Sequence, residues 1–457
     1  MLLAANYVPG LYVEDHSIQV PLQWRDADPA QVAQHGFADD ETTTSISLFY
    51  RVVTSPEHAH DDLPLLVFLQ GGPGGQCPRP LNPADDGWIA EAIKHYRVVL
   101  PDQRGTGRSS RVDAQTIARF GADARAAADY LKCFLADSII RDFEYLRLME
   151  FEGRRWTSLG QSYGGFLTLT YLSLFPQGLS ACFTTGGIPH VPADAAEVYA
   201  HTFPRMIAQT KQYYERYPQD VERVSAIADR LAEGDVRLPN GDPFSIRRLQ
   251  MLGSDFGMKP SFERLHWLVD QAFTGGDGTV ESGEKAVLST GFLMNVLART
   301  ASYERPLYWP LQEFIYADGE LRSPINWAAQ HELERRPEFS VDARPLMFTG
   351  EAAFPWMFEE DASLHPFRPV VELLMQDTQF GHIYDEEQLA RNKVPLQAAV
   401  YFDDMYVDSG MQLDTLSRIG RSHAWVTNEF EHDGVHGPDV FPHLYRLALE
   451  RGDLSQA

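Results

Sequence analysis

Apolar residues in this chain occur either as short unbroken runs or at helical spacing. The runs Leu65-Leu66-Val67-Phe68-Leu69, Tyr96-Arg97-Val98-Val99-Leu100, Ala181-Cys182-Phe183-Thr184-Thr185, Leu396-Gln397-Ala398-Ala399-Val400-Tyr401-Phe402 and Ala424-Trp425-Val426-Thr427 have strand length. A continuous apolar run suits a strand buried on both faces. Trp156-Thr157-Ser158-Leu159 is a further short strand, and the stretch from Phe166 to Leu172 after it is helix-compatible. Between Ala195 and Leu231 the spacing is that of amphipathic helices, and Phe292-Leu293-Met294-Asn295-Val296-Leu297 adds another apolar stretch. About 200 residues separate the strand ending at Thr185 from the one starting at Leu396, far more than a strand-to-helix connection needs, so they must form substructure of their own. The pattern predicts an α/β protein interrupted by a large helical insertion.

The candidate chemistry lies where strands end. Leu65–Leu69 runs into Gln70-Gly71-Gly72-Pro73-Gly74-Gly75, whose glycines let the main chain pass close to a substrate. The strand at 96–100 ends in Pro101-Asp102-Gln103-Arg104-Gly105-Thr106-Gly107-Arg108-Ser109-Ser110. Its Gly-x-Gly is not a dinucleotide fingerprint, because Ser110 stands at the third glycine and Asp123 and Asp129 lie in an alanine-rich helical stretch. Gly160-Gln161-Ser162-Tyr163-Gly164 joins strand to helix with a serine at the apex. Such a nucleophile elbow strains the serine backbone so that its hydroxyl projects above the sheet. In acyl transfer, the glycine loop, at Gly72, and the residue after the serine, Tyr163, would each supply a backbone N–H to the oxyanion.

The three motifs, in this order and spacing, resemble the prolyl aminopeptidase (proline iminopeptidase) family of α/β-hydrolases, in its longer bacterial form. The resemblance covers most of the chain. It implies an α/β-hydrolase core, a mostly parallel sheet flanked by helices, with a large helical cap, and removal of N-terminal proline from peptides by a serine nucleophile without metal or organic cofactor.

Triad order in α/β-hydrolases is serine, acid, histidine. After the strand at 396–402 come Asp403 and Asp404, and after the strand at 424–427 come His432 and His436. Position alone leaves both pairs open. Similarity of Tyr-Phe-Asp-Asp-Met and Glu-His-Asp-Gly to the family's segments implies Asp404 and His432, although the glycine and arginine that precede the acid in the family are missing here. Ser162 would then attack, His432 would carry the proton, and Asp404 would orient the imidazole.

Gln312-Glu313-Phe314-Ile315-Tyr316 and the segment from Gly350 to Phe358 resemble cap segments of the longer members. An enzyme taking N-terminal proline needs carboxylates for a protonated secondary amine and aromatic walls for a compact ring. Glu313 and Glu351 are therefore the expected amine binders, with Tyr316, Phe354 and Trp356 as walls. The expected division is a core of residues 1–190, a mainly helical cap of 191–385, and a core return of 386–457.

Composition narrows the remaining classes. The 457 residues exceed one average domain, which a core with insertions accommodates. A net charge of −25 disfavours nucleic acid as a partner. The three cysteines, Cys77, Cys133 and Cys182, are sparse and lack metal spacing, which suits a reducing compartment. Cys77, just past the glycine loop, is expected to be an inert buried thiol. No leader-like start and no run of membrane-spanning length occurs, so a cytoplasmic protein is expected, away from membranes. His58, His60, Asp61 and Asp62 read as a solvated loop, as does the cluster Asp39-Asp40-Glu41, and Gly275-Gly276-Asp277-Gly278 as a flexible turn. The expected partners are peptides with N-terminal proline; the oligomeric state is not legible. Hydrolysis of esters or other aminoacyl amides is the alternative activity, and a non-catalytic binder is opposed by the complete triad set.

Overall fold

The computed structural model describes residues 1–24, 27–36, 44–274 and 287–454. The acidic cluster at 39–41 and the glycine turn at 275–278 lie outside the described residues. The described residues form nine strands: β1 (Leu2–Val8), β2 (Leu11–Pro21), β3 (Ser45–Thr54), β4 (Leu65–Leu69), β5 (Arg97–Pro101), β6 (Trp156–Gln161), β7 (Leu179–Thr185), β8 (Leu396–Tyr401) and β9 (Ser422–Thr427). They form one sheet in the order β1-β2-β3-β5-β4-β6-β7-β8-β9. Pairing is antiparallel from β1 to β5 and parallel from β5 through β9. The mostly parallel α/β sheet that the family resemblance implies is therefore present.

Side chains alternate across each strand, so a run that is apolar at every position serves two cores. Leu65, Val67 and Leu69 face one cluster, which contains Ile139, Phe143, Leu167 and Leu172 from the helices Ala136–Glu150 and Tyr163–Leu174. Leu66 and Phe68 face the other, with Trp88 and Ile89 from Gly87–Ala92 and Phe441 and Leu444 from Val440–Glu450. The Phe68 and Trp88 rings stack at 4.4 Å. β4 through β8 are thereby covered on both faces, which is the environment that selects unbroken hydrophobic strands.

The three N-terminal strands have no such signature. β1 is exposed along nearly its whole length, and β2 alternates buried with half-buried positions. Gly10, at φ 76°, makes the turn between them, which only a residue free of Cβ adopts without strain.

Among the described residues from 186 to 395, none adds a strand to the sheet. The longer helices there are Ala195–Arg216, Asp220–Ala232, Ser261–Asp270 and Thr290–Thr300. Asp194 opens the first by accepting a hydrogen bond from the Glu197 N–H at 3.0 Å. Apolar side chains of this segment, including Tyr199, Phe203, Met206 and Phe348, join the cluster that covers one face of the sheet. No helix among the described residues is long and apolar enough to cross a membrane.

Candidate active site

The chemical groups gather at the carboxyl ends of the parallel strands, where the open ends of such sheets present their loops. Ser162 stands between β6 and the helix Tyr163–Leu174 with φ 54° and ψ −125°. A left-handed φ is costly for a serine, so the surrounding structure must enforce it. It does so by close packing. A Cβ at Gly164 would run into the Leu69 carbonyl, and one at Gly160 into the Gly164 carbonyl. Thr185 O accepts from the Ser162 N–H at 3.0 Å. Tyr163 is the first residue of its helix, so its N–H has no carbonyl one turn back to bond.

The Asp-Gln-Arg motif after β5 acts as scaffold. Asp102 is fully buried and accepts from Arg79 at 2.7 and 2.5 Å, from Cys77 N at 3.1 Å and from Arg108 N at 2.9 Å. Gln103 donates to Gln70 O at 2.7 Å, which fixes the start of the glycine loop. Arg104 forms a bidentate pair with Asp142 at 2.7 and 2.6 Å, both side chains fully buried. Gln103 thus ties the motif to the loop holding Gly72, Asp102 ties it to the segment just after that loop, and Arg104 anchors it to the helix Ala136–Glu150.

Asp404 follows β8 and His432 follows β9, and both are buried. His432 Nδ1 lies 2.7 Å from Asp404 Oδ2. Asp404 Oδ1 accepts from the N–H groups of Tyr406 at 2.8 Å and Val407 at 3.1 Å. With both Asp404 oxygens engaged as acceptors, Nδ1 of the histidine donates its proton to Oδ2 and Nε2 is left as the basic nitrogen. Burial opposes protonation of His432, but the Asp404 charge and hydrogen bond, with the Glu351 charge, outweigh it and raise its pKa. The Tyr406 ring stands edge-on to the imidazole at 4.8 Å. Of the alternatives the sequence leaves open, Asp403 is exposed, and His436 bonds instead to Asp86 at 2.9 Å.

Ser162, His432, Gly72 and Glu351 line one cavity of about 580 Å³, together with Tyr308, Trp309 and Tyr406. Glu351 accepts a hydrogen bond from the Tyr308 hydroxyl. Burial raises its pKa, against the opposing pull of Tyr308 and His432. Glu313 sits deeper, wholly buried, and its two oxygens accept from the N–H groups of Ala328 at 2.9 Å and Ala329 at 3.1 Å. Burial pushes its pKa up to about 8 despite those two donors. The other expected walls are dispersed. Tyr316 packs between Phe166 and Tyr199, at 6.0 and 6.1 Å. Phe354 stacks on Trp356 at 6.2 Å, and Trp356 lines a separate cavity of about 310 Å³ beside Arg247 and Phe339. Sequence reasoning missed Tyr308, Trp309 and Tyr406, which carry no motif. The available signals were the aromatic pair at 308–309 and the position of Tyr406 two residues past the acid.

Among the described residues, no group of three or more His, Cys, Asp or Glu is placed to hold a metal ion. His58 pairs with Asp61 at 2.7 Å on the surface. Cys77 is buried with its thiol directed at Pro101 O, 2.8 Å away, and burial drives its pKa well above the ordinary thiol value. Cys133 and Cys182 are likewise pushed up, to about 11 and about 12. A thiol reagent applied to the native protein at pH 8 should therefore label none of the three within minutes, and all three once the chain is unfolded. Rapid labelling of Cys77 would contradict this.

The alpha/beta hydrolase fold family matches residues 64–227. A proline iminopeptidase of Aeromonas sobria is 39% identical over 441 residues, covering 96% of this chain and 97% of that one. The chain belongs to the proline iminopeptidase family of α/β-hydrolases. A second proline iminopeptidase, from Aspergillus aculeatus, is 32% identical across 99% of this chain and the whole of the relative. The solved proline iminopeptidase of Mycobacterium smegmatis aligns over 89% of this chain and 96% of its own, at 13% identity and a TM-score of 0.40.

Proposed function

We propose that this protein is a serine aminopeptidase that releases N-terminal proline from peptides. The observation that carries the reading is a single cavity lined both by Ser162 and His432 and by the carboxylate of Glu351. The first two groups suit acyl transfer, and the third suits a protonated amine. In this reading His432 Nε2 takes the proton of the Ser162 hydroxyl as its oxygen attacks the prolyl carbonyl. The N–H groups of Tyr163 and Gly72 receive the negative oxygen of the tetrahedral intermediate. The imidazolium then protonates the leaving amine, and water, activated by the same histidine, frees proline from Ser162.

Glu351, steadied by Tyr308, would receive the substrate's ammonium group, with Glu313 adding negative potential only as the pH rises through about 8, where it ionises. Tyr316, Phe354 and Trp356 would shape the surrounding cap rather than touch the ring, a contact better suited to Tyr308, Trp309 and Tyr406. Residues 191–385 would act as a cap that keeps the amine end of the substrate under cover and admits only a chain terminus. A relation to proline iminopeptidases over nearly the full length supports the same substrate class.

Glu351→Gln should raise KM for a proline arylamide by roughly 10- to 100-fold, the worth of a charge-assisted hydrogen bond. Only the ionised carboxylate holds the amine. Because burial raises the pKa of Glu351, wild-type affinity should be lost on acidification at a higher pH than an ordinary glutamate would dictate. An unchanged KM in Glu351→Gln would remove Glu351 from the reading.

A further inference from the structure

We infer that the mouth of this cavity recognises the free carboxylate of short substrates, through Arg305 with Arg264, so that proline dipeptides and tripeptides are the preferred class. This rests on the aminopeptidase reading above. The cavity runs from buried groups, Ser162 and His432, to side chains that reach solvent, Arg264, Arg299 and Arg305. These guanidinium groups line the same cavity, so the far end of a short peptide whose amine end lies inside can meet them.

Their existing commitments differ. Arg299 is already paired with Asp255. Arg264 donates one hydrogen bond, to Lys259 O at 3.0 Å, which leaves most of its donors unspent. Arg305 is exposed, and among the described residues its guanidinium has no hydrogen-bond or ion-pair partner. Its main-chain carbonyl accepts from Tyr308 N at 3.0 Å, so it stands one turn from the tyrosine that holds Glu351. The acids at the same mouth do not compete for it equally. Asp255 is taken by Arg299, Asp433 accepts from Lys259 N at 3.0 Å, and only Glu304 is left exposed beside it.

A dipeptide spans at most about 7 Å when extended, and a tripeptide about 10 Å. A cavity of a few hundred Å³ encloses ligands of this size. The amine of such a peptide on Glu351 and its carboxylate on Arg305 would bind opposite ends of one small molecule, with the scissile bond between them. The sign of the effect is diagnostic. A protein of net charge −25 with Glu351 in the cavity should by its overall field favour the uncharged C-terminal amide over the carboxylate.

The test is the ratio of kcat/KM for Pro-Ala to that for Pro-Ala amide, measured at low salt, with a proline arylamide as reference. The expected ratio in the wild type is about 10, reduced by added salt. It should fall severalfold in Arg305→Gln and in Arg264→Gln, and to about 1 or below in the double variant, through KM rather than kcat. The ratio is internal to each variant, so partial loss of folded protein does not affect it. A wild-type ratio of 1 or less, with the arylamide cleaved, overturns the carboxylate site and leaves the aminopeptidase reading standing. Release of proline from none of the three substrates overturns both.

Discussion

Ser162→Ala should lower kcat for proline-arylamide hydrolysis by about 10⁵- to 10⁶-fold, with KM changed only a few-fold. Without the hydroxyl no acyl-enzyme forms, and the rate left is what the oxyanion donors and substrate positioning give to direct attack by water. The elbow geometry should survive the change. The strain at φ 54° is imposed by close packing around Gly160 and Gly164 and by the Ser162 N–H bond to Thr185, none of which uses the side-chain oxygen. Thermal unfolding of the variant is therefore expected to match the wild type. A residual rate within 100-fold of wild type would mean that another group is the nucleophile.

Asp404→Asn should cost about 10⁴-fold in kcat, the scale seen when a triad aspartate is made an amide. The hydrogen-bond pattern makes this a tautomer effect. Asp404 Oδ1 accepts from two main-chain N–H groups, and Oδ2 accepts from His432. An asparagine in the same rotamer must keep its carbonyl toward the two N–H donors, which turns its NH₂ toward Nδ1. The imidazole then carries its proton on Nε2, the nitrogen that should act as base. The pH profile should move as well. The Asp404 charge and hydrogen bond help lift the His432 pKa against burial, so their loss shifts the acid limb of kcat/KM to lower pH. Asp403→Asn, at an exposed side chain, should stay within a few-fold of wild type. Equal losses at the two acids would contradict the assignment.

The parts of this architecture that the sequence reveals are those where one environment acts on several consecutive residues. β4 shows in Leu65–Leu69 because both faces are buried, and the same holds for β5, β7 and β8. β1, exposed at the sheet edge, and β2, half-covered beside it, do not show, because neither position places a continuous apolar demand on its residues. Motif chemistry is legible where backbone conformation restricts the residue type, as at Gly160, Ser162 and Gly164. It is less legible where contacts are made across the fold. Glu313 bonds the main chain of Ala328 and Ala329, Tyr308 reaches Glu351, and His436 finds Asp86 across 350 positions. Local spacing holds no information about such pairs. Trp356 illustrates the same limit, since its proximity in sequence to Glu351 does not bring it to the cavity that Glu351 lines.

The most direct test of prolyl aminopeptidase activity is hydrolysis of a set of arylamides by the wild-type protein: proline, alanine, leucine and N-blocked proline, with a simple aryl ester alongside. Cleavage of free proline arylamide at least 100-fold faster than the alanine, leucine and N-blocked compounds is the expected result. Turnover of the ester or of N-blocked proline at rates equal to free proline arylamide would contradict it, since neither presents the amine that Glu351 is placed to receive.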